Sequence, residues 1–341
     1  ILIAATVLFS YIYGFQPLQA NQRKAAGSGR EYWSEQLAQA NGADYDVIVY
    51  GGEPQGLSAA ISAARLGAKT LLISEGADAG GIITNCLIPE LEKPLGQKDK
   101  LLNGGILEEM DDKLGNGFSK EKYLTVINEL LDGEDTLDVR YNTSIAGVSM
   151  SGVYLDRLEL RTEKGKETLS GKIYIDASNS GNLLDACKVP YFTGSGDLNM
   201  EDSFMPVSLN FEMISMNGAI DSVDKINELL NGDEFHNKVR NYQVMSKNAV
   251  LENPFAYLTG DSTIVMSGLQ LTGIDVSDQD KLKDAYSSAI DEAKNFLAFL
   301  SANFQEFGSY SFSRAAERLR VHEHKHYKGN YLLTVQDIMN N

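Results

Sequence analysis

The sequence predicts an α/β fold: a doubly wound parallel sheet with an inserted β-meander, followed by a second, α+β domain. Three observations carry this. Short apolar runs of the kind needed by strands buried on both faces occur at Asp46–Tyr50 (DVIVY), Lys69–Ser74 (KTLLIS) and Ile173–Ala177. The first two flank an alanine-rich helical stretch, Leu57–Leu66, closed by Gly67, with the lengths of a parallel crossover unit. Before the third run come strand-like stretches in LDVRYNTSIAGVSM, VYLDRLELRT and ETLSGKIYIDAS, separated by Gly-containing turns. Leu155, Leu158 and Leu160 among charged neighbours suit a half-exposed antiparallel meander.

The remaining elements follow from the same rules. Ser119–Leu131 has a helical pattern, and Phe204–Met213 alternates as a strand that opens the second region. Helices are expected at Ser222–Leu230 and over Asp278–Phe304, the latter with an apolar stripe. STIVMSGLQLTGIDV reads as a strand bent at Gly268. The closing stretch RLRVHEHKHYKGNYLLTVQDIMNN reads as one or two strands, then a turn or the start of a helix.

Composition bounds the function. The 341 residues are 43% hydrophobic and 23% charged, enough for a large core and two domains. A formal charge of −17 repels polyphosphate, which disfavours nucleic acid as a partner and an anionic membrane surface for the main body. Two cysteines, Cys86 and Cys187, are too few to ligate an iron–sulfur cluster and read as separate small core residues. Neither G-x-S-x-G nor H-E-x-x-H occurs, so a serine hydrolase or zincin has no motif support.

The N-terminus differs from the rest. Ile1–Phe15 is nearly all apolar and short for a membrane span of roughly 20 residues. It reads as the h-region of a signal peptide, with Leu18-Gln19-Ala20 approaching a cleavage site, or as an uncleaved membrane anchor. Export is the expectation. Residues 21–44 read as a linker with a lead-in helix around REYWSEQLAQA.

The chemistry is expected at DYDVIVYGGEPQGLSAA. A pyrophosphate is held at a helix N-terminus by unpaired backbone N–H groups and aligned peptide dipoles. Of the three glycines such a loop uses, the first turns the chain, the second gives backbone room and the third lets helix pack on strand. Gly51 and Gly56 fill the first and third places, Gly52 lies between, and Glu53 stands at the second with Pro54 after it. Glu53 is expected to be solvated and turned from the ligand, capping nearby N–H groups or pairing with a base. Glu75 follows Gly56 by 19 positions at the end of the second strand, where a carboxylate can accept from a ribose. Strand, glycine turn, helix, strand and terminal acid in order form a Rossmann-like dinucleotide-binding unit.

YDVIVYGGEPQGLSAAISAARLGAKTLLISE resembles the start of FAD-dependent oxidoreductases with the glutathione-reductase-like fold, closest to a broad bacterial family whose loop often reads GGxPxG. AGGIITN, with Gly80 and Gly81, resembles that family's second glycine pair, placed close to the flavin. KIYIDASNSGNLLDACKVPYFTGSGD resembles its strand and turn read as IDATGDGDLA, with Asp176, Ala177 and Ser178 at the cofactor. The likeness runs from Tyr45 to Ile338. Asn179 and Asn182 depart from it, and relatives continue further, so both ends look clipped.

The resemblance implies an FAD/NAD(P)-binding Rossmann-like domain at 45–190, a substrate domain at 191–310 and a return toward the first domain at 311–341. It implies FAD as cofactor and a hydride or electron pair moved between a small-molecule substrate and the flavin, with the electron acceptor unnamed. Two other readings stand beside it: a non-catalytic binding protein on a degenerate flavoprotein fold, and an NAD-using enzyme with the same unit. His322, His324 and His326 alternate in VHEHKHY and on a strand would share a face. Steps of about 6–7 Å are too wide for one metal ion, so acid–base work near flavin or substrate is the better reading. His236 lies in a charged helical stretch and reads as solvated, and Cys86 as a packed thiol rather than a redox group.

Overall fold

The computed structural model describes residues 42–93, 104–198, 200, 203–331 and 335–339. The apolar leader and the lead-in helix lie outside the described residues. The chain divides into two units, Asp44–Tyr327 and the remaining terminal segments, and the first holds everything below.

A four-stranded parallel sheet organises this unit, in the order β3-β2-β1-β7. Its strands are β1 (Tyr45–Tyr50), β2 (Thr70–Ile73), β3 (Leu137–Arg140) and β7 (Gly171–Asp176). The crossover from β1 to β2 is helix α1 (Pro54–Arg65), which runs in from the glycine turn. Among the described residues three more helices precede β3: α2 (Gly81–Asn85), α3 (Ile106–Leu114) and α4 (Lys120–Asp132). The side chain of Ser119 accepts from Lys122 N at 3.2 Å and caps α4.

Alternation along β1 sorts the two faces of the sheet. Val47 and Val49 pack with Leu57 and Ile61 of α1 and with Tyr123, Ile127 and Leu130 of α4. Ile48 and Tyr50 face the other way, against Leu158, Leu160 and Leu169. Those leucines come from the predicted meander, β4 (Ser144–Ser151), β5 (Tyr154–Thr162) and β6 (Gly165–Leu169), paired antiparallel. One face is therefore covered by helices and the other by a small sheet, which hides β1 from water on both sides.

After β7 comes a short helix α5 (Asn182–Ala186) and then β8 (Tyr191–Thr193). A second, antiparallel sheet follows, with β9 (Val207–Ser215) and the long β12 (Thr263–Leu271) at its centre. β10 (Ala249–Leu251) and β11 (Ala256–Gly260) both pair with β12, and β13 (Tyr310–Ala315) pairs with β9. The register of β12 shifts between Met266 and Leu269, at Gly268. Two short helices, α6 (Asp224–Leu230) and α7 (Asp233–Val239), lie between β9 and β10. Helix α8 (Gln279–Asn303) is capped by Asp278 and lays Ala285, Ala289, Ala293, Phe296 and Leu300 on this sheet. β13 stays with β9, and only afterwards does the chain return, with Glu317 N and Arg318 N both donating to Asn85 O. It ends the unit as β14 (Lys325–Tyr327), paired with β8. Among the described residues no helix is long and apolar enough to cross a membrane.

Candidate functional site

The turn after β1 is compressed by its neighbours. Gly51 N donates to Ile73 O at 2.8 Å, and its φ of +120° belongs to glycine. A Cβ on Gly51 would overlap the Ala177 carbonyl and Ser178 N, and one on Gly56 would overlap Gly51 O. A Cβ on Gly52 would lie 2.9 Å from Ser74 Oγ. Backbone is thus stacked three deep where β1, β2 and β7 end.

Above that stack α1 begins with open donors. Pro54 occupies its first turn and has no N–H, while Gln55 N and Gly56 N find no acceptor among the described residues. The first internal bond is Leu57 N to Glu53 O, 2.9 Å. Glu53 is the N-cap residue, yet its carboxylate does not cap this helix. The open N–H groups and the helix dipole form a site for an anion.

Glu53 is buried rather than solvated, with 6% of its surface exposed, and this corrects the expectation from sequence. Its Oε2 accepts from Ile82 N at 2.7 Å, in the first turn of α2, and its Oε1 lies 3.8 Å from Arg318 Nη2. The side chain is turned away from the α1 donors, as expected, but into the protein. Burial pushes its pKa up, against the Ile82 N–H and Arg318, which pull it down. Two polar neighbours share this interior. Burial raises the Cys86 thiol to about 11, which keeps it protonated and inert. The Tyr123 hydroxyl is buried without a partner among the described residues, and burial, then the charge of Glu53, pushes its pKa up. Gly81 completes the arrangement: with φ +52°, it passes so close that a Cβ there would lie 2.6 Å from Glu53 Cδ. Gly80 N donates to Asp78 Oδ1 at 2.9 Å.

Glu75 stands just past β2, on the exposed rim. Its Oε1 accepts from the Tyr50 hydroxyl and from Asn182 Nδ2 at 2.9 Å, which leaves Oε2 for a ligand. Burial and Glu75 together push the Tyr50 pKa up, so the phenol remains a donor. Tyr50 and Asn182 were not picked out by sequence as partners of Glu75. A tyrosine closing a buried strand next to a terminal acid was the local signal for the first.

Asp176, Ala177 and Ser178 form the turn after β7. Asp176 Oδ1 accepts from Ser178 N (2.9 Å) and Ser178 Oγ (2.6 Å), and Oδ2 from Leu184 N (2.9 Å). Ser178 Oγ accepts in turn from Asn182 N at 2.8 Å. Ala177 N donates to Tyr50 O, and Ala177 O accepts from Gln55 Nε2 at 3.3 Å. These groups fix the wall against which the glycine loop is pressed.

Beyond this turn opens a cavity of about 820 Å³. One wall is Asp176–Gly181 with Leu184, a second is the start of α8 with Leu282, Lys283 and Tyr286, and a third is the returning segment Glu317–Tyr327. The three histidines all line it, but not as a strand face. Only His326 lies in a strand, because the chain leaves β13 and runs irregularly from Val321 to His324 before β14 forms on β8. His322 Nε2 meets Ser208 Oγ at 3.2 Å, and His326 Nε2 meets Glu323 Oε1 at 2.6 Å. Burial first, then the charge of Arg320 or Lys325 respectively, lowers the pKa of His322 and of His324. Among the described residues no cluster of His, Cys, Asp and Glu is arranged to hold a metal ion. His236 is exposed on α7, and the two cysteines are unpaired.

Solved structures similar to this chain include three enzymes or enzyme-like proteins of low identity. The FAD-dependent chondrochloren halogenase of a myxobacterium matches with a TM-score of 0.46 at 13% identity, over 82% of this chain and 63% of that one. The p-nitrophenol 4-monooxygenase of Pseudomonas putida gives 0.43 at 9%, over 79% and 65%. A geranylgeranyl bacteriochlorophyll reductase-like protein of Thermoplasma acidophilum gives 0.43 at 14%, over 80% and 65%. The chain therefore spans less than two thirds of the length of these structures. The family model described as FAD dependent oxidoreductase matches residues 46–341, which covers the glycine loop, the parallel sheet and the cavity walls. The chain belongs to the FAD dependent oxidoreductase family.

Proposed function

We propose that the chain binds FAD in a glutathione-reductase-like manner and moves a hydride or electron pair between the flavin and an organic substrate held in the 820 Å³ cavity. The observation that carries this reading is the open N-terminus of α1. Gln55 N and Gly56 N are unclaimed, backbone is bare of Cβ at Gly51, Gly52 and Gly56, and the one carboxylate in the loop is buried elsewhere. These residues fit the ADP half of FAD: the pyrophosphate needs such donors, and the glycines let helix and strand ends pack closely enough to present them.

When bound, FAD supplies the two-electron chemistry. The chain's own residues bind, orient and exclude water. Glu75 offers Oε2 to a ribose hydroxyl, Asp176 holds the turn that backs the loop, and Gly80 and Gly81 bring α2 up to it through Ile82 and Glu53. His322 and His324, lowered in pKa, present neutral imidazoles to the cavity near pH 7, able to accept or donate a proton on a substrate. The apolar run Ile1–Phe15 supports a location outside the cytoplasm, and the N-terminus of the natural protein, read by mass spectrometry from cell fractions, checks that.

The test of the main reading is a visible absorption spectrum of the full-length protein, with chromatography of what denaturation releases. Peaks of oxidised bound flavin and released FAD are expected. A colourless protein that also refuses added FAD would overturn the reading.

A further inference from the structure

Three carboxylates and three cations line the cavity, and their formal charges cancel, but several of them pair with groups outside the lining. In a chain of net charge −17 the expectation for any cleft is an acidic lining, and acids are indeed present. Each is committed elsewhere. Asp176 accepts from Ser178 and Leu184 within its own turn, Glu317 pairs with Lys120 at 2.7 Å, and Glu323 pairs with His326. Of the cations, Lys325 is bound to Asp185. Two remain. Lys283 is exposed on the cavity side of α8 and has no ion-pair or hydrogen-bond partner among the described residues for its ammonium group. Arg318, on the opposite segment, has only Glu53 as an acid partner, at 3.8 Å, beyond hydrogen-bonding distance.

The apolar part of the lining is as definite. Leu184, Val276, Leu282, Leu319 and Val321 belong to the same cavity and come from all three walls. The glycine loop does not line it, although Arg318 reaches Glu53 of that loop at 3.8 Å.

We infer that the cavity takes an organic carboxylate: an apolar body against Leu184, Val276 and Leu282, with its anionic end held by Arg318 and Lys283. Arg318 offers a planar fork that suits a carboxylate, and Lys283 adds a mobile point charge. This inference rests on the reading of the cavity as the substrate site and narrows it to a substrate class.

The experiment titrates the full-length protein, with and without FAD, by calorimetry at low salt, using hexanoate and benzoate against hexanamide and benzamide. Each carboxylate is expected to bind at least tenfold more tightly than its amide. Lys283→Met and Arg318→Gln are each expected to cut that preference at least fivefold, while Arg318→Lys retains most of it. FAD affinity, followed by flavin fluorescence, should move less than twofold in Lys283→Met. Equal binding of acid and amide, or no binding of either acid, overturns the inference. So does a Lys283→Met variant that loses FAD or ADP rather than hexanoate, because the cations would then serve the cofactor's phosphates. Failure to bind FAD sinks the flavoenzyme reading, yet the FAD-free titration still decides the carboxylate site. Should Arg318→Gln fail to fold, Lys283→Met, on an exposed helix position, carries the test.

Discussion

Two turns lie side by side where β1 and β7 end, and they treat their backbone donors in opposite ways. After β7, Asp176 accepts from Ser178 N, Ser178 Oγ and Leu184 N, so the turn is closed by its own side chains. After β1, Gln55 N and Gly56 N stay open, and Glu53, the side chain best placed to close them, is committed to Ile82 N. The difference shows that a carboxylate in a glycine loop does not by itself fill an anion site. What matters is whether the fold gives that carboxylate other donors.

The comparison breaks most severely at Gly56. In Gly56→Ala the new methyl collides with Gly51 O and lies 3.0 Å from Ala177 Cβ, both held by the sheet. The expected result is loss of FAD binding together with a stability loss on the order of 3 kcal/mol, read by urea denaturation. A variant that keeps both FAD and stability would show that the stack at the strand ends gives way freely.

Asp176→Ala should have a smaller and different effect. It frees Ser178 N, Ser178 Oγ and Leu184 N at once, with an expected cost of about 2 kcal/mol in thermal denaturation. FAD should bind more weakly but still bind, since the α1 donors are untouched. Ser119→Ala removes the cap of α4 but no hydrogen bond of either turn and serves as the control, costing about 1 kcal/mol with no change in FAD affinity.

The smallest effect is a pH dependence at Glu53. Its folded pKa is raised above the usual 4.5 by burial, so between 4.5 and that raised value the native state binds more protons than the unfolded chain. Glu53 therefore makes the protein less stable as pH rises through this window. Denaturation of the native protein and of Glu53→Gln across pH 4–8 should show the stability of the native protein, relative to the variant, falling with rising pH. A difference that stays flat or rises would mean that Ile82 N and Arg318 outweigh the burial.

How much of this was legible follows from the range of the contacts. β1, its glycine turn, α1 and β2 were readable because each depends on neighbouring residues: the apolar run, the bare backbone and the alanine-rich stretch. The meander and the long α8 were readable for the same reason, from alternation and from an apolar stripe. The destination of Glu53 was not, because Ile82 and Arg318 reach it from distant parts of the chain. The bond from Asn182 to Glu75 joins the ends of two strands that become neighbours only through β1. The histidine row misled because alternation promises a strand only where a partner strand extends along it, and β8 pairs with no more than Lys325–Tyr327.

Glu53 and Gly81 occupy the same space from two directions. A side chain at 81 is tolerable only if 53 gives up its carboxylate, and a glycine at 53 would leave Ile82 N without its acceptor and Arg318 without its ion-pair partner. For anyone redesigning this loop, the two positions are one choice. A mutant library that randomises either alone would sample mostly collisions and vacancies, whereas paired libraries at 53 and 81 would reach loops with a conventional glycine.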